Sequence, residues 1–241
     1  MRLTPRRRAT PPDADVTAAA ALLADPARTA MLWSLADGRP LPAGELARAG
    51  GVSASTASAH LNRLIAAGWV AAERHGRHRY IRLINADVAA LLEALALAGG
   101  TNGARSVRPG PAPELRLARS CYDHLAGRAG VALTGALLAD GTLTQEGRIF
   151  EVSAAGRGRL AELGIDIAAV EREARERGRF LARACLDWSE RQDHLAGALG
   201  QALLERVLAL AWFERKRGSR DLRLTNAGRR ALSREFGVRL F

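Results

Sequence analysis

Four side chains stand out as able to do chemistry: Cys121, His124, Cys185 and His194, the first pair three residues apart and the second nine. Thiolate and imidazole are good ligands for zinc and other soft metals, and two of each make a tetrahedral donor set. The same thiols could act as a redox pair or trap a soft electrophile. Alternatively, Cys121 and Cys185 are small buried hydrophobes and the histidines serve as capping or hydrogen-bonding residues. The chain has only these two cysteines, too few for a disulfide framework. It therefore reads as a cytoplasmic protein.

The elements that must position these residues are marked by a repeat. DHLAGRAGVAL (123–133) and DHLAGALGQAL (193–203) agree at eight of eleven positions. VSAAGRGRL (152–160) pairs more loosely with LTNAGRRAL (224–232). Each unit reads as two helices, a short hairpin and a helix opened by Ser153 or Thr225. On that reading Cys121 and His124 share one helix face. Symmetric packing would bring His124 towards His194. A long helix from about Ile167 to Cys185 is expected to join the units, its EREARERGR stretch a solvated face of paired charges. The second hairpin, WFERKRGSRDLRL (212–224), looks like a wing with its tip at Gly218. Tyr122, Trp188 and Trp212 are core aromatics or the lining of an effector pocket. The GxGxxA match at Gly156–Ala161 falls inside a repeated helix and is read as accidental. No phosphate loop, nucleophile elbow or zinc-protease helix occurs, so no enzyme is expected.

A different device precedes the repeat. Glu45–Ala49 is a short helical run stopped by Gly50-Gly51. Ser53 sits where an N-cap belongs, ahead of a helix from about Ala54 to Ala67. Ala57, Leu61, Leu64 and Ile65 form that helix's inner stripe. Ser55, Thr56, Ser58, His60 and Arg63 face outward, small and polar as a major groove requires. Two strands, Trp69–Glu73 and Arg79–Leu83, then flank a tip at His75-Gly76-Arg77, with Arg74, Arg77 and Arg79 available to phosphates. Order and spacing describe a helix-turn-helix running into a β-hairpin wing. Double-stranded DNA is the expected partner, through Ser53, Ser55, Thr56, Ser58, His60, Arg63, Arg74, Arg77 and Arg79. The net charge of +11 fits an anionic partner and is spread along the chain, +4 in residues 1–98, +2 in 99–113 and +5 in 114–241.

Residues 16–98 resemble the ArsR-type (arsenic-repressor-like) winged-helix repressors. The resemblance is carried by ALLADPARTAMLWSLADG (21–38), ELARAGGVSASTASAHLNRLIAAGWV (45–70) and GRHRYIRL (76–83). It implies a homodimer that represses transcription and leaves DNA when an effector binds. The family's metal sensors place cysteines on the first helix of the motif, or Asp and His on the terminal dimer helix. Here those helices read GELARAG and DVAALLEALALA, and neither ligand set is present.

The expected organisation is a basic arm (1–15), a winged helix-turn-helix with its dimerisation helix (16–98), a Gly/Pro linker (99–113) and a C-terminal domain with the repeat (114–166 and 186–241). The fold class is mainly α with small β-hairpin wings, the C-terminal domain being α+β and built from two degenerate winged-helix-like repeats. No segment is apolar enough to span a membrane, and no cofactor is required beyond a possible zinc or soft metal. The functional expectation is a homodimeric repressor with a small-molecule or metal effector. The alternatives are a metal or thiol-redox sensor using Cys121, His124, Cys185 and His194, and a constitutive architectural DNA-binding protein.

Overall fold

The computed structural model describes residues 16–75, 78–99, 113–216 and 219–240. The expected basic arm, the wing tip at Gly76-Arg77, nearly all of the linker and the Gly218 tip lie outside the described residues. The chain divides into two compact units. One holds the described residues up to Leu35 together with Pro40–Ile84; the other holds Ala36–Arg39 and the described residues from Asn85 onward.

In the first unit, α1 (Val16–Leu23) gives way at Asp25-Pro26 to α2 (Pro26–Ser34). The Asp25 carboxylate accepts from the Arg28 amide, and proline occupies the first turn, where its missing N–H costs nothing. A two-residue strand, β1 (Leu41–Pro42), leads into α3 (Ala43–Gly50), which Gly51 ends in the left-handed region at φ 63°. Then come α4 (Ala54–Ala66) and the antiparallel pair β2 (Val70–His75) and β3 (His78–Leu83). The sheet order is β1-β3-β2. Met31, Leu32, Leu46, Leu61, Leu64, Ile81 and Leu83 are fully buried and form its core.

The second unit opens with α5 (Ala86–Gly99) and α6 (Pro113–Leu117). The first half follows as β4 (Arg119–Cys121), β5 (His124–Ala126), α7 (Gly127–Ala139), β6 (Leu143–Glu146), β7 (Ile149–Val152) and α8 (Ala154–Glu162). After α9 (Ile167–Glu176), the second half runs β8 (Arg183–Leu186), β9 (Asp193–Ala196), α10 (Ala198–Ala209), β10 (Phe213–Arg215), β11 (Leu222–Leu224) and α11 (Asn226–Phe236). Each half reads hairpin, helix, hairpin, helix. One four-stranded sheet, β6-β7-β8-β9, crosses from the first half to the second. Leu133, Leu137, Phe150, Leu160, Leu199, Leu203, Val207 and Phe213 belong to the shared core. Ser153 and Thr225 cap α8 and α11 by accepting from the amides of Gly156 and Gly228.

Two sequence expectations fail here. DHLAG does not open on a helix: His124 and His194 lie on the strands β5 and β9. The glycines ending the motif, Gly127 and Gly197, stand at the strand-to-helix junctions with φ 76° and 87°, a turn that a helix interior does not make. Nor does the helix from Ile167 reach Cys185. It stops at Glu176, Gly178 turns the chain at φ 59°, and Cys185 sits on β8. α5 also groups with the second unit rather than with the winged helix. Among the described residues no helix is long and apolar enough to cross a membrane.

Candidate nucleic-acid interface and a buried cysteine-histidine cluster

α4 is two-faced. Ala57, Leu61 and Leu64 are buried, while Ser55, Thr56, Ser58 and Arg63 are exposed. Ser53 caps the helix: its hydroxyl accepts from the Thr56 amide and lies 2.9 Å from Ser55 Oγ and 3.0 Å from Thr56 Oγ1. Positive backbone dipole and exposed hydroxyls thus meet at the N-terminal end of the exposed face, an arrangement suited to phosphate or base edges. On the hairpin, Arg74 pairs in register with Arg79. Like charges directly opposite on two strands destabilise each other unless an anion intervenes. Arg79 is half-buried and reaches Asn62 Oδ1 at 3.5 Å, while Arg74 is exposed. Arg77 lies outside the described residues.

His60 departs from expectation. Its ring is turned inward, with Nδ1 3.3 Å from an Arg28 guanidinium nitrogen and Nε2 3.9 Å from the Asp25 carboxylate. Its side chain is 12% exposed. Arg28 in turn donates to the carbonyls of Ala21 and Leu22, so His60 helps lock the α1–α2 corner rather than face outward.

The second unit brings all four Cys and His residues together. Cys121 is the cross-strand partner of His124 on β4–β5, and Cys185 that of His194 on β8–β9. Neighbours directly opposite on paired strands lie close, so each hairpin presents one thiol and one imidazole side by side. One ligand atom from each of the four falls within 4.8 Å of all the others, and all four residues are buried. The sulfurs are 4.0 Å apart and the two Nε2 atoms 3.1 Å apart.

Carboxylates stand behind both rings. His124 Nδ1 is 3.2 Å from Asp123 Oδ1, and His194 Nδ1 is 3.5 Å from Asp187 Oδ2. His124 Nδ1 is within hydrogen-bond distance of its carboxylate, His194 Nδ1 only faces one, and the two Nε2 atoms face each other, a contact that a shared proton or a cation between them would satisfy. The electrostatics agree. The Cys121 thiol is pushed up by the Cys185 sulfur and by burial. Burial opposes charging His124, but the Cys121 sulfur and Asp123 outweigh it and raise it. The centre therefore resists further negative charge and favours positive charge.

The outer groups form a buried ionic chain that the sequence reading missed. Asp187 accepts from the amides of Gly127 (2.7 Å), Ser189 and Glu190 and pairs with Arg119 at 3.0 Å. Burial works against its charge, but Arg119 and His194 hold its carboxyl well below the ordinary range. Arg119 is fully buried, lies 5.0 Å over the Trp188 ring and meets Glu93 of α5 at 3.3 Å; Glu93 also meets Arg220 at 3.1 Å. Asp123 is answered by Arg179. The one available signal was Glu93, a lone acid amid the apolar run of α5. Trp212 packs edge-on against Phe236 as a core residue.

The MarR family model matches residues 25–79, where the sequence resembled the ArsR type. YdfF of Bacillus subtilis (strain 168), an uncharacterized HTH-type transcriptional regulator, is 42% identical over 220 residues, spanning 91% of this chain and 96% of that protein. Among solved structures, a homodimeric winged helix-turn-helix DNA-binding domain from Mycobacterium bovis, described as a possible ArsR-family regulator, is 33% identical over 35% of this chain and 78% of that one, with a TM-score of 0.33. A cadmium metal-sensor from Mycobacterium tuberculosis is 30% identical over 40% of this chain and 98% of that one, with a TM-score of 0.28. An α4 that buries one face and exposes hydroxyls and arginine on the other, together with a full-length relative at this identity, fixes the class: the chain belongs to the HTH-type transcriptional regulators of the winged-helix kind.

Proposed function

We propose that the chain is a homodimeric repressor of the ArsR-like type, which binds double-stranded DNA through α4 and the β2–β3 hairpin and is released by an effector acting on the second unit. The observation that carries the DNA face is the outward set Ser55, Thr56, Ser58 and Arg63 over a fully buried apolar stripe. Ser53 fixes the helix start, and Arg74 and Arg79 supply charge from the hairpin. Self-association is supported by α5, which buries Ala89, Leu92 and Glu93 but leaves Leu91 and Leu95 at 40% and 46% exposure. Large apolar side chains spaced along one exposed helix face suit a second copy of the same helix.

The test starts by selecting duplexes from a random-sequence pool with the full chain. Affinity for the selected site is then followed by anisotropy across salt concentrations. Arg63→Ala and Arg74→Ala should each weaken binding and flatten the salt slope by about one unit. Selection without any enriched sequence would replace the repressor with an architectural binder. Unchanged slopes in both variants would remove this face from the phosphate contacts.

A further inference from the structure

We propose that Cys121, His124, Cys185 and His194 form a closed tetrahedral site for one zinc ion, which clasps the β4–β5 hairpin of the first half to the β8–β9 hairpin of the second. Bond lengths of ~2.3 Å to sulfur and ~2.0 Å to nitrogen at the tetrahedral angle place two ligand sulfurs ~3.8 Å apart and two ligand nitrogens ~3.3 Å apart. The separations here are 4.0 Å for the sulfurs and 3.1 Å for the Nε2 atoms, so two opposite edges of the tetrahedron match, and the four sulfur–nitrogen edges all lie within 4.8 Å. A disulfide requires sulfurs at ~2.05 Å, and these two sit at nearly twice that distance on separate hairpins.

The outer groups fit the same reading. Each imidazole faces the centre through Nε2 and turns Nδ1 towards a carboxylate, the orientation that raises ligand basicity in carboxylate–histidine–zinc triads. Those carboxylates are themselves matched, Asp123 by Arg179 and Asp187 by Arg119. Binding balances: zinc(II) displaces one proton from each thiol together with the proton held between the two Nε2 atoms, the two thiolates neutralise the dication, and the displaced protons go to solvent. The backbone leaves room for the rings. A Cβ at Gly200 of α10 would come within 3.1 Å of His124 Cβ, and one at Gly130 of α7 within 3.6 Å of His194 Cβ. The DHLAGxxG repeat is thus read twice as one half of a metal clasp. Four protein ligands leave no open position, which makes the site structural rather than catalytic.

The experiment uses the full chain purified under reducing conditions. Elemental analysis should find one zinc per chain, and cobalt(II) added to chelator-stripped protein should give the intense visible bands of tetrahedral coordination with thiolate-to-cobalt charge transfer. Cys185→Ser and His194→Gln should each weaken cobalt binding at least 100-fold. Asp187→Asn, a change at a positioning residue, should keep the tetrahedral spectrum while weakening binding 10–100-fold. The wild-type spectrum stands even if a ligand variant fails to fold. Retention of no zinc together with pale octahedral cobalt bands would overturn the site. So would ready formation of a Cys121–Cys185 disulfide in metal-replete protein, which would make the pair a redox couple.

Discussion

Two glycines in long helices of the second unit provide a matched test of the packing around the cluster. In an ordinary exposed helix position, Gly→Ala gains up to about 1 kcal/mol of helix propensity. Gly135 of α7 is such a position, exposed and with nothing within 4 Å of an added Cβ. Gly200 of α10 is not. There the Cβ would fall 2.6 Å from the Leu195 carbonyl oxygen and 3.1 Å from His124 Cβ. Ordinary contact begins at 3.4 Å, so the carbonyl would have to retreat by about 0.8 Å. It cannot do so alone, because Leu195 is paired with Ala184 on β8 and follows His194 directly. Overpacking of this kind costs about 1–3 kcal/mol, and a backbone obstacle belongs in the upper half of that range.

After subtracting the propensity gain, Gly200→Ala should destabilise by about 1–2 kcal/mol, while Gly135→Ala should stabilise by about 0.5–1 kcal/mol. At about 2–4 °C per kcal/mol for a unit of this size, the midpoints should separate in opposite directions, down by about 2–8 °C for Gly200→Ala and up by about 1–4 °C for Gly135→Ala. Urea titration and calorimetry of the full chain read both, at constant denaturant slope. Two shifts of the same sign would refute the claim that α10 is seated on the histidine strand without slack.

Three further outcomes follow from single contacts. His60→Ala should leave base preference in a random-duplex selection unchanged while costing about 1 kcal/mol, because the ring is engaged with Arg28 and Asp25; a changed preference at any base would return His60 to the outward face. Ser53→Ala removes the cap that accepts from the Thr56 amide and should lower unfolding stability by about 1 kcal/mol in urea titration; a change below about 0.3 kcal/mol would mean the Ser55 and Thr56 hydroxyls substitute for it. Glu93→Gln takes the shared carboxylate from Arg119 and Arg220 and should cost about 3 kcal/mol in calorimetry, whereas a near-neutral result would show the buried ions to be balanced without it.

The reading motif was legible in the sequence because it is local. The stripe of Ala57, Leu61 and Leu64, the cap at Ser53 and the glycine stop at Gly51 each follow from a few neighbouring residues. His60 was misread because helical spacing alone puts it on the outer edge of α4, and only the tertiary contact with Arg28 turns it inward. The two cysteines and two histidines do come together, but on strands rather than on the helices that the sequence suggested. The two DHLAG motifs lie 70 residues apart, and that offset sets Cys121 opposite Arg191 and Cys185 opposite Leu115. In the folded chain they are equivalent, each opposite the histidine of its own hairpin. The equivalence was hidden because two residues join Cys121 to His124 whereas eight separate Cys185 from His194. Strand pairing absorbs that difference in the hairpin connection. Glu93 stands out as an acid in an apolar helix, but its pairing with Arg119, and that of Arg119 with Asp187, was beyond reach, because the partners are 26 and 68 residues apart and no local pattern links them.

α5 shows why the cluster and the rest of the second unit form one system. Its buried Glu93 meets Arg119, which lies on β4, the strand that carries Cys121. Its Asp87 meets Arg183 at 2.8 Å, on β8, the strand that carries Cys185. The helix is therefore tied to both cysteine strands by ionic contacts, and Asp187 continues the first of these to the ring of His194. An ion held by both hairpins would fix the spacing of β4 and β8, and with it the two anchors of α5. Leu91 and Leu95, which follow Asp87 at four-residue spacing and share its face of the helix away from Glu93, are exposed. A ligand shifts an equilibrium only by its differential affinity for two states, and here the difference would be one clasped and one unclasped spacing of two strands. The contact between Asp87 and Arg183 is solvent-exposed on the Asp87 side and worth little by itself. Of the two links, the buried Glu93–Arg119–Asp187 path is therefore the one that would carry such a coupling, and Glu93→Gln is the change that would cut it.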